Sequence, residues 1–360
     1  MEFFYELVQI ALGQREELSR EPSVEEWAEL YEASKKQAVV GVAFIALEKL
    51  NRKGQKPPVS LLYEWIAAVE QIKVRNGILN HRSGEITKLF ADAGFRSCIL
   101  KGQGNALMYT VPESRNPGDI DIWVDGNREE TKQFVLSKWP DAKDGPMHIS
   151  FHFHETEVEV HYIARRTSVP KYNNRLQRWL REHSDEQFSN RVSLIGSSEI
   201  EVCVPTVAFN AVYQMSHMMG HFFVEGIGLR HFVDYFYVLK KLHEDGCTED
   251  YVALFEYLGL LKFARGVMWI EKEVLGLGEK YLICEQDERI GRVILKEMEE
   301  GGNLGHYDER YAYRRNGYLA RGIADGYRLL KLAYYFPEDA LWRLVRMVEN
   351  QKWKMKNWCY

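Results

Sequence analysis

Ile99-Leu100-Lys101-Gly102-Gln103-Gly104, followed by Arg115-Asn116-Pro117-Gly118-Asp119-Ile120-Asp121-Ile122, is the stretch on which the reading of this chain turns. Residues 97–100 read as a short buried strand, and residues 119–124 as a second strand in which polar and apolar side chains alternate. Alternation puts Asp119 and Asp121 on one face, about 6–7 Å apart along the chain. Two like carboxylates at that spacing repel each other. A divalent cation between them removes the repulsion, and Mg²⁺ takes a few hard protein oxygens alongside those of a phosphate. An isolated Asp-x-Asp is more often a polar strand face in solvent, but here apolar residues flank the pair and a Lys101-Gly102-x-Gly104 turn precedes it. Glycines let a backbone approach a phosphate, and Lys101 and Arg115 carry the charge to neutralise one, unless they serve only as partners of surface acids.

Working outward, a helix near 128–138 leads to strands at 148–154 and 156–162, so close together that they form an antiparallel hairpin. On the first, His148, Ser150, His152 and His154 share one face and Ile149, Phe151 and Phe153 the other. On the second, Glu157, Glu159 and His161 face away from Val158, Val160 and Tyr162. This face is denser in carboxylate and imidazole than sheet amphipathicity requires, the alternative being a solvated sheet surface. The hairpin therefore offers a third carboxylate to the Asp pair, and alternation leaves Glu157 and Glu159 equivalent.

Residues 1–93 carry apolar side chains at helical spacing, as in Leu62, Trp65, Ile66 and Val69, with Pro57-Pro58 as the one break. The helical period returns after 165, interrupted by two β-like runs at 191–195 and 199–204 joined by a Gly-Ser-Ser turn. Helices starting near Pro205, Gly228 and Tyr251 carry the chain to its end, with breaks at Gly301-Gly302 and Phe336-Pro337. The fold class is thus α+β: a mixed-sheet core over 94–165, an N-terminal helical region over 1–93, and a mainly helical region over 166–360 with a short β-hairpin near 191–204.

A chain of 360 residues with 46% hydrophobic, 13% aromatic and 28% charged residues has the composition of a globular protein with a substantial core. Lys+Arg of 47 against Asp+Glu of 52 gives a net charge of −5, which argues against a protein that coats nucleic acid or an anionic membrane. The longest apolar run, 38–47, is far below the roughly 20 residues a membrane span needs and reads as a core helix. The five cysteines form no CxxC pair and no disulfide-like spacing, and the acidic start lacks the charge pattern of an export signal. These features point to a cytoplasmic protein with no membrane association and no disulfide-linked partner.

The ordered set Leu100-Lys101-Gly102, Leu107, Tyr109, Pro112, Arg115, Asp119-Ile120-Asp121 and Val158-Glu159-Val160-His161 resembles the uncharacterised nucleotidyltransferase family of the DNA polymerase β superfamily. The likeness extends over roughly residues 30–270, and Gly228-Leu229-Arg230 with Val233-Asp234 is similar to a helix of that family. The resemblance implies a polymerase-β-like core in which Lys101, Gly102, Gly104 and Arg115 bind the phosphates of a nucleoside triphosphate, and Asp119 and Asp121 bind Mg²⁺ or Mn²⁺. It selects Glu159 as the third metal-binding and catalytic carboxylate, with Glu157 in reserve. Two departures stand out: Lys101-Gly102-Gln103 replaces the superfamily's frequent Gly-Ser, and the third carboxylate is Glu where Asp is commoner. The implied reaction is attack of an acceptor hydroxyl on the α-phosphate with loss of pyrophosphate, the acceptor being a small molecule, RNA or protein. The alternative from another class is a catalytically degenerate member that binds a nucleotide or a protein as a regulator.

His217 and His221 stand four apart on a helix, but Met218 follows the first where a zincin needs Glu, so they read as packed or nucleotide-facing histidines. A zinc hydrolase built on the 148–161 hairpin is the remaining histidine-based reading. Arg230 and Asp234 are spaced for an i,i+4 ion pair. The tail over 342–360, with Arg343, Arg346, Lys352, Lys354 and Lys356 among Trp353 and Trp358, reads as a solvated helix face, or else as a contact for RNA or an acidic partner. Helices from both flanks are expected to wall a cleft over the Asp-x-Asp strand, because so small a core cannot enclose a nucleotide and an acceptor. Neutralising one member of a repelling carboxylate pair is expected to leave the metal-free protein as stable or more so.

Overall fold

Ile120, Ile122 and Val124 alternate with Asp121, Trp123 and Asp125, and this period of two both makes the strand and decides which way it faces. A computed structural model describes residues 1–195, 201–311 and 317–357, with 2, 318, 319 and 350–357 by backbone alone. Five strands, β1 (Arg96–Ile99), β2 (Ile120–Asp125), β3 (Lys143–Asp144), β4 (His148–Phe153) and β5 (Thr156–His161), form one sheet in the order β1-β2-β5-β4-β3. β2 and β5 run parallel, and the other neighbours are antiparallel. The expected hairpin is present, with His148 opposite His161 and Phe153 opposite Thr156.

Helices α1 (Glu2–Ala11), α2 (Val24–Lys36), α3 (Val40–Asn51) and the 34-residue α4 (Val59–Asp92) precede the sheet. The start of α2 is fixed by a capping box in which Ser23 and Glu26 satisfy each other's backbone N–H. Between strands lie the single-turn α5 (Gln103–Ala106) and α6 (Arg128–Lys138), the latter capped by Asn127. Leu79, Ile86 and Phe90 of α4 and Val135 of α6 pack against Ile120, Ile122, Val124, Ile149, Phe151, Val158 and Val160, which closes the apolar face of the sheet.

After the sheet come α7 (Pro170–Glu182), α8 (Ser184–Gln187), α9 (Val207–Val224) and α10 (Leu229–Glu244), then helices from Tyr251–Leu258 to Pro337–Asn357. β6 (Arg191–Ser193) and β7 (Glu201–Cys203) pair antiparallel as expected, while the Gly-Ser-Ser turn between them lies outside the described residues. The side chains of Lys352, Trp353, Lys354, Lys356 and Trp358, which carry most of the expected basic stripe, also lie outside them. The N- and C-terminal helices share one apolar core that runs from Phe4, Trp27 and Trp65 to Phe222, Phe236, Phe263 and Phe336. Trp123, on the face of β2 away from α4, joins this second core by stacking near Phe209 of α9. The flanks therefore divide: α4 backs the apolar face, and α9 meets the face that carries the carboxylates. No described helix is long and apolar enough to cross a membrane.

Candidate active site

Parallel pairing of β2 with β5 sets Asp121 opposite Glu159, and residues in register on adjacent strands point to the same side. One oxygen from each of Asp119, Asp121 and Glu159 lies within 4.8 Å of the others. Glu157 falls one pair further along, opposite His152, and is exposed. The register thus brings Glu159, and not Glu157, beside the Asp pair. Asp121 forms the floor of this recess with a side chain 2% exposed, while Asp119 and Glu159 at its edge are 33% and 24% exposed.

Two cations of the chain occupy the floor. Lys101 Nζ lies 2.9 Å from Asp121 Oδ2 and 3.7 Å from Asp119 Oδ1, and His161 Nε2 lies 3.0 Å from Asp121 Oδ1 and 3.5 Å from Glu159 Oε2. Burial alone would raise the Asp121 carboxyl, but Lys101 and His161 outweigh it and hold the group well below the usual carboxylate range. Burial would lower His161, yet its bonds to Asp121 and Glu159 hold it up to about 9, so it is an imidazolium at neutral pH. Glu159 is likewise held low, burial being outweighed by His161. At the rim His148 Nδ1 sits 3.4 Å from Glu159 Oε2, and there burial prevails and keeps the imidazole below its ordinary value. The hard oxygen set fits Mg²⁺ or Mn²⁺, provided that Lys101 and His161 give way.

The four residues expected to bind phosphate fare differently. Lys101 lies in the recess. Gly102 turns the chain from β1 into α5 at φ +63°, a conformation that favours glycine, and a Cβ there would lie 3.7 Å from Asp119 O. Gly104 packs α5 against the chain beyond β7: a Cβ at this position would stand 2.9 Å from Val204 Cγ1, so its missing side chain makes room for valine rather than for phosphate. Arg115 is buried, and its Nε and Nη2 each lie 2.8 Å from a carboxylate oxygen of Asp234, so the guanidinium is committed to a bidentate ion pair and not to the recess. The expected Arg230–Asp234 pair is replaced in turn. Arg230 Nη1 donates to the carbonyls of Asn116 and Pro117, each at 3.4 Å, so both arginines tie α10 to the segment that leads into Asp119.

A family model described as "Uncharacterised nucleotidyltransferase" matches residues 23–276. The chain belongs to the uncharacterised nucleotidyltransferase family. A search of the curated proteins found no match. Among solved structures, an antigenic nucleotidyltransferase-like protein from Paracoccidioides brasiliensis is similar over 51% of this chain and 92% of its own, with 11% identity and a TM-score of 0.31. The α+β architecture with its mixed sheet is the one expected for a nucleotidyltransferase.

Two residues that feel the charges of this recess carry no signal in the sequence. Arg165, just beyond β5, lays its guanidinium along α9, with Nε 3.4 Å from Ser216 O and Nη2 3.5 Å from His217 O. Burial lowers it, and Asp121 and Glu159 lie near enough to act on its charge. Tyr213 of α9 feels Asp121, Lys101 and Glu159 as well. Nothing local in the sequence marks Arg165, since the strand alternation has already ended at His161. His231, which the structure sets beside His217 and His221, has no motif of its own and lies inside the Arg230-x-x-x-Asp234 spacing.

Proposed function

We propose that this nucleotidyltransferase transfers a nucleoside monophosphate from an NTP to a hydroxyl-bearing acceptor, with Mg²⁺ or Mn²⁺ held by Asp119, Asp121 and Glu159. The observation that supports this reading is the convergence of the three carboxylates within 4.8 Å at one end of a recess that is open at its rim. Bound there, the divalent ion supplies positive charge to the phosphoryl group in transit. The chain's own residues do the rest. Lys101, in the recess, and Arg165, near enough to feel Asp121 and Glu159, bind the phosphates beside the Gly102 turn. Glu159, ionised and partly exposed, takes the proton of the acceptor hydroxyl as its oxygen bonds to the α-phosphorus and the bond to the β-phosphate oxygen breaks, releasing pyrophosphate. Tyr213 bounds the recess on the α9 side.

A regulatory, non-catalytic reading rests on one specific observation: Lys101 and His161 already neutralise Asp121. Incubation of the purified chain with each α-labelled NTP, Mg²⁺ or Mn²⁺ and a metabolite extract separates the two. Metal-dependent pyrophosphate release that is lost in Asp119→Asn supports transfer, and nucleotide binding without any pyrophosphate supports regulation.

A further inference from the structure

A second group of possible ligands stands behind the recess. His217 and His221 lie one turn apart on α9, and the short connection over 225–228 brings His231, in the first turn of α10, back beside them. The connection is tight because a Cβ at Gly226 would stand 2.8 Å from Gly305 N, and one at Gly228 2.7 Å from the Cα of Asn303. One ring nitrogen from each histidine lies within 4.8 Å of the other two. His217 Nε2 and His221 Nε2 are 3.0 Å apart, close to the ~3.3 Å edge of a tetrahedron with metal–nitrogen bonds of about 2.0–2.1 Å.

The outer nitrogens argue more strongly. His221 Nδ1 lies 3.1 Å from Glu225 Oε2, and His231 Nδ1 lies 3.1 Å from Gly228 O, the shorter of its two contacts with Gly228, whose N–H stands at 3.4 Å. A carboxylate and a backbone carbonyl are the two partners that hold a ligating imidazole with its proton on the outer nitrogen and its lone pair facing inward. With its proton on Nδ1, His221 Nε2 can only accept. His217 must then donate from Nε2, which strands its buried Nδ1 without a hydrogen-bond partner among the described residues. An ion that takes both Nε2 lone pairs removes the need for His217 to donate there and moves its proton to Nδ1, which has no hydrogen-bond partner among the described residues in either case. Burial also keeps all three imidazoles below their ordinary range, so they remain neutral at neutral pH.

We infer that His217, His221 and His231 form a site for a zinc-class divalent ion, distinct from the carboxylate recess. Three neutral nitrogens suit Zn²⁺, Co²⁺ or Ni²⁺ and give little to Mg²⁺, whereas the oxygens of Asp119, Asp121 and Glu159 suit Mg²⁺. Three protein ligands leave a fourth position open. The positive charge of Lys101 reaches all three histidines, so the site binds more weakly than a closed four-ligand structural site. The ion joins α9 to α10, and α9 also carries Tyr213 and the backbone on which Arg165 lies. The inference stands on these residues whether or not the protein transfers nucleotides.

The test is titration of the chelator-stripped full chain with Co²⁺, followed by visible absorbance, and then displacement by Zn²⁺. One equivalent with the intense bands of four-coordinate cobalt is expected, undisturbed by excess Mg²⁺. His217→Gln, His221→Gln and His231→Gln should each weaken binding at least 100-fold, while His148→Gln and Asp119→Asn leave it unchanged. Glu225→Gln, at a partly exposed position outside the packed core, should weaken it roughly 10–100-fold without loss of fold, and this variant decides the matter if a histidine variant does not fold. Absence of the bands, their loss in His148→Gln or Asp119→Asn, or unchanged affinity in Glu225→Gln overturns the assignment.

Discussion

Asp234→Asn tests how the helical layer holds the strand that carries Asp119 and Asp121. Both side chains of the Arg115–Asp234 pair are 5% exposed, their two contacts are 2.8 Å each, and Tyr109 donates a further bond of 2.5 Å to Asp234 Oδ1. Removing one partner of a buried pair leaves the other charge without compensation and costs about 3–5 kcal/mol. At about 2 °C per kcal/mol, a value suited to larger chains, the melting temperature should fall by roughly 6–10 °C. Burial alone would raise Asp234, but Arg115 outweighs it and keeps the folded-state value low. The contribution of this carboxylate is therefore fully present above the unfolded value of about 3.9 and is lost as pH falls through the folded value. The gap between wild type and Asp234→Asn should shrink below about pH 4. Replacing both partners, as Arg115→Met with Asp234→Leu, should cost less than half as much as Asp234→Asn alone, because no charge is left buried. Differential scanning calorimetry across pH measures all three. A loss under about 1 kcal/mol at pH 7, or a double variant that costs at least as much as Asp234→Asn, would refute the argument.

Asp121→Asn and Asp119→Asn should both abolish transfer, yet they should differ in the metal-free protein: Asp121, buried between Lys101 and His161, should cost roughly 3–5 kcal/mol by urea unfolding, and the more exposed Asp119 well under 1. Equal melts for the two would remove the role given to the internal cations. Glu159→Gln should slow single-turnover transfer by about 10²–10⁴-fold with nucleotide affinity retained, and Glu157→Gln should be mild; an essential Glu157 would shift the working carboxylate by two residues. Glu271 is fully buried, and neither carboxyl oxygen has a hydrogen-bond partner among the described residues, so burial pushes it well above the usual range. A raised folded-state value means that stability is lost as pH rises past the unfolded value of about 4.3, so Glu271→Met should gain on wild type from pH 5 to pH 8. A difference that does not change with pH would indicate an ordinary, solvated carboxyl.

Strand positions were legible because each had a period of its own. Residues 119–124 and the 148–162 hairpin alternate cleanly, and their faces in the structure are those that alternation assigns. What alternation lacked was the order of strands across the sheet. The family resemblance selects Glu159 over Glu157, and the parallel pairing of β2 with β5, formed across the helix and strands between them, is what sets Glu159 opposite Asp121. The expectation of an undiminished stability on neutralising either Asp is replaced, for Asp121, by a predicted loss, and for a related reason. The sequence shows two carboxylates in repulsion, but the cations that reverse the sign, Lys101 and His161, come from the end of β1 and from β5.

The arginines make the same point about range. Arg115 stands four residues before Asp119, and proximity in sequence suggests phosphate, while Arg230 stands four before Asp234, and helical spacing suggests a pair. The structure exchanges these partners. Asp234 takes Arg115 from 119 positions away, and Arg230 is left to hold the carbonyls of Asn116 and Pro117. The exchange has a physical reason. Asp234 is buried, and Arg115 meets both of its carboxylate oxygens in a fork at 2.8 Å, while Arg230 is turned to the carbonyls of Asn116 and Pro117. Two cross-links then run from one helix to the four residues before Asp119. A strand whose entry is fixed in this way can hold like charges close together before any metal arrives, since the repulsion acts on a backbone that packing against α10 has already placed.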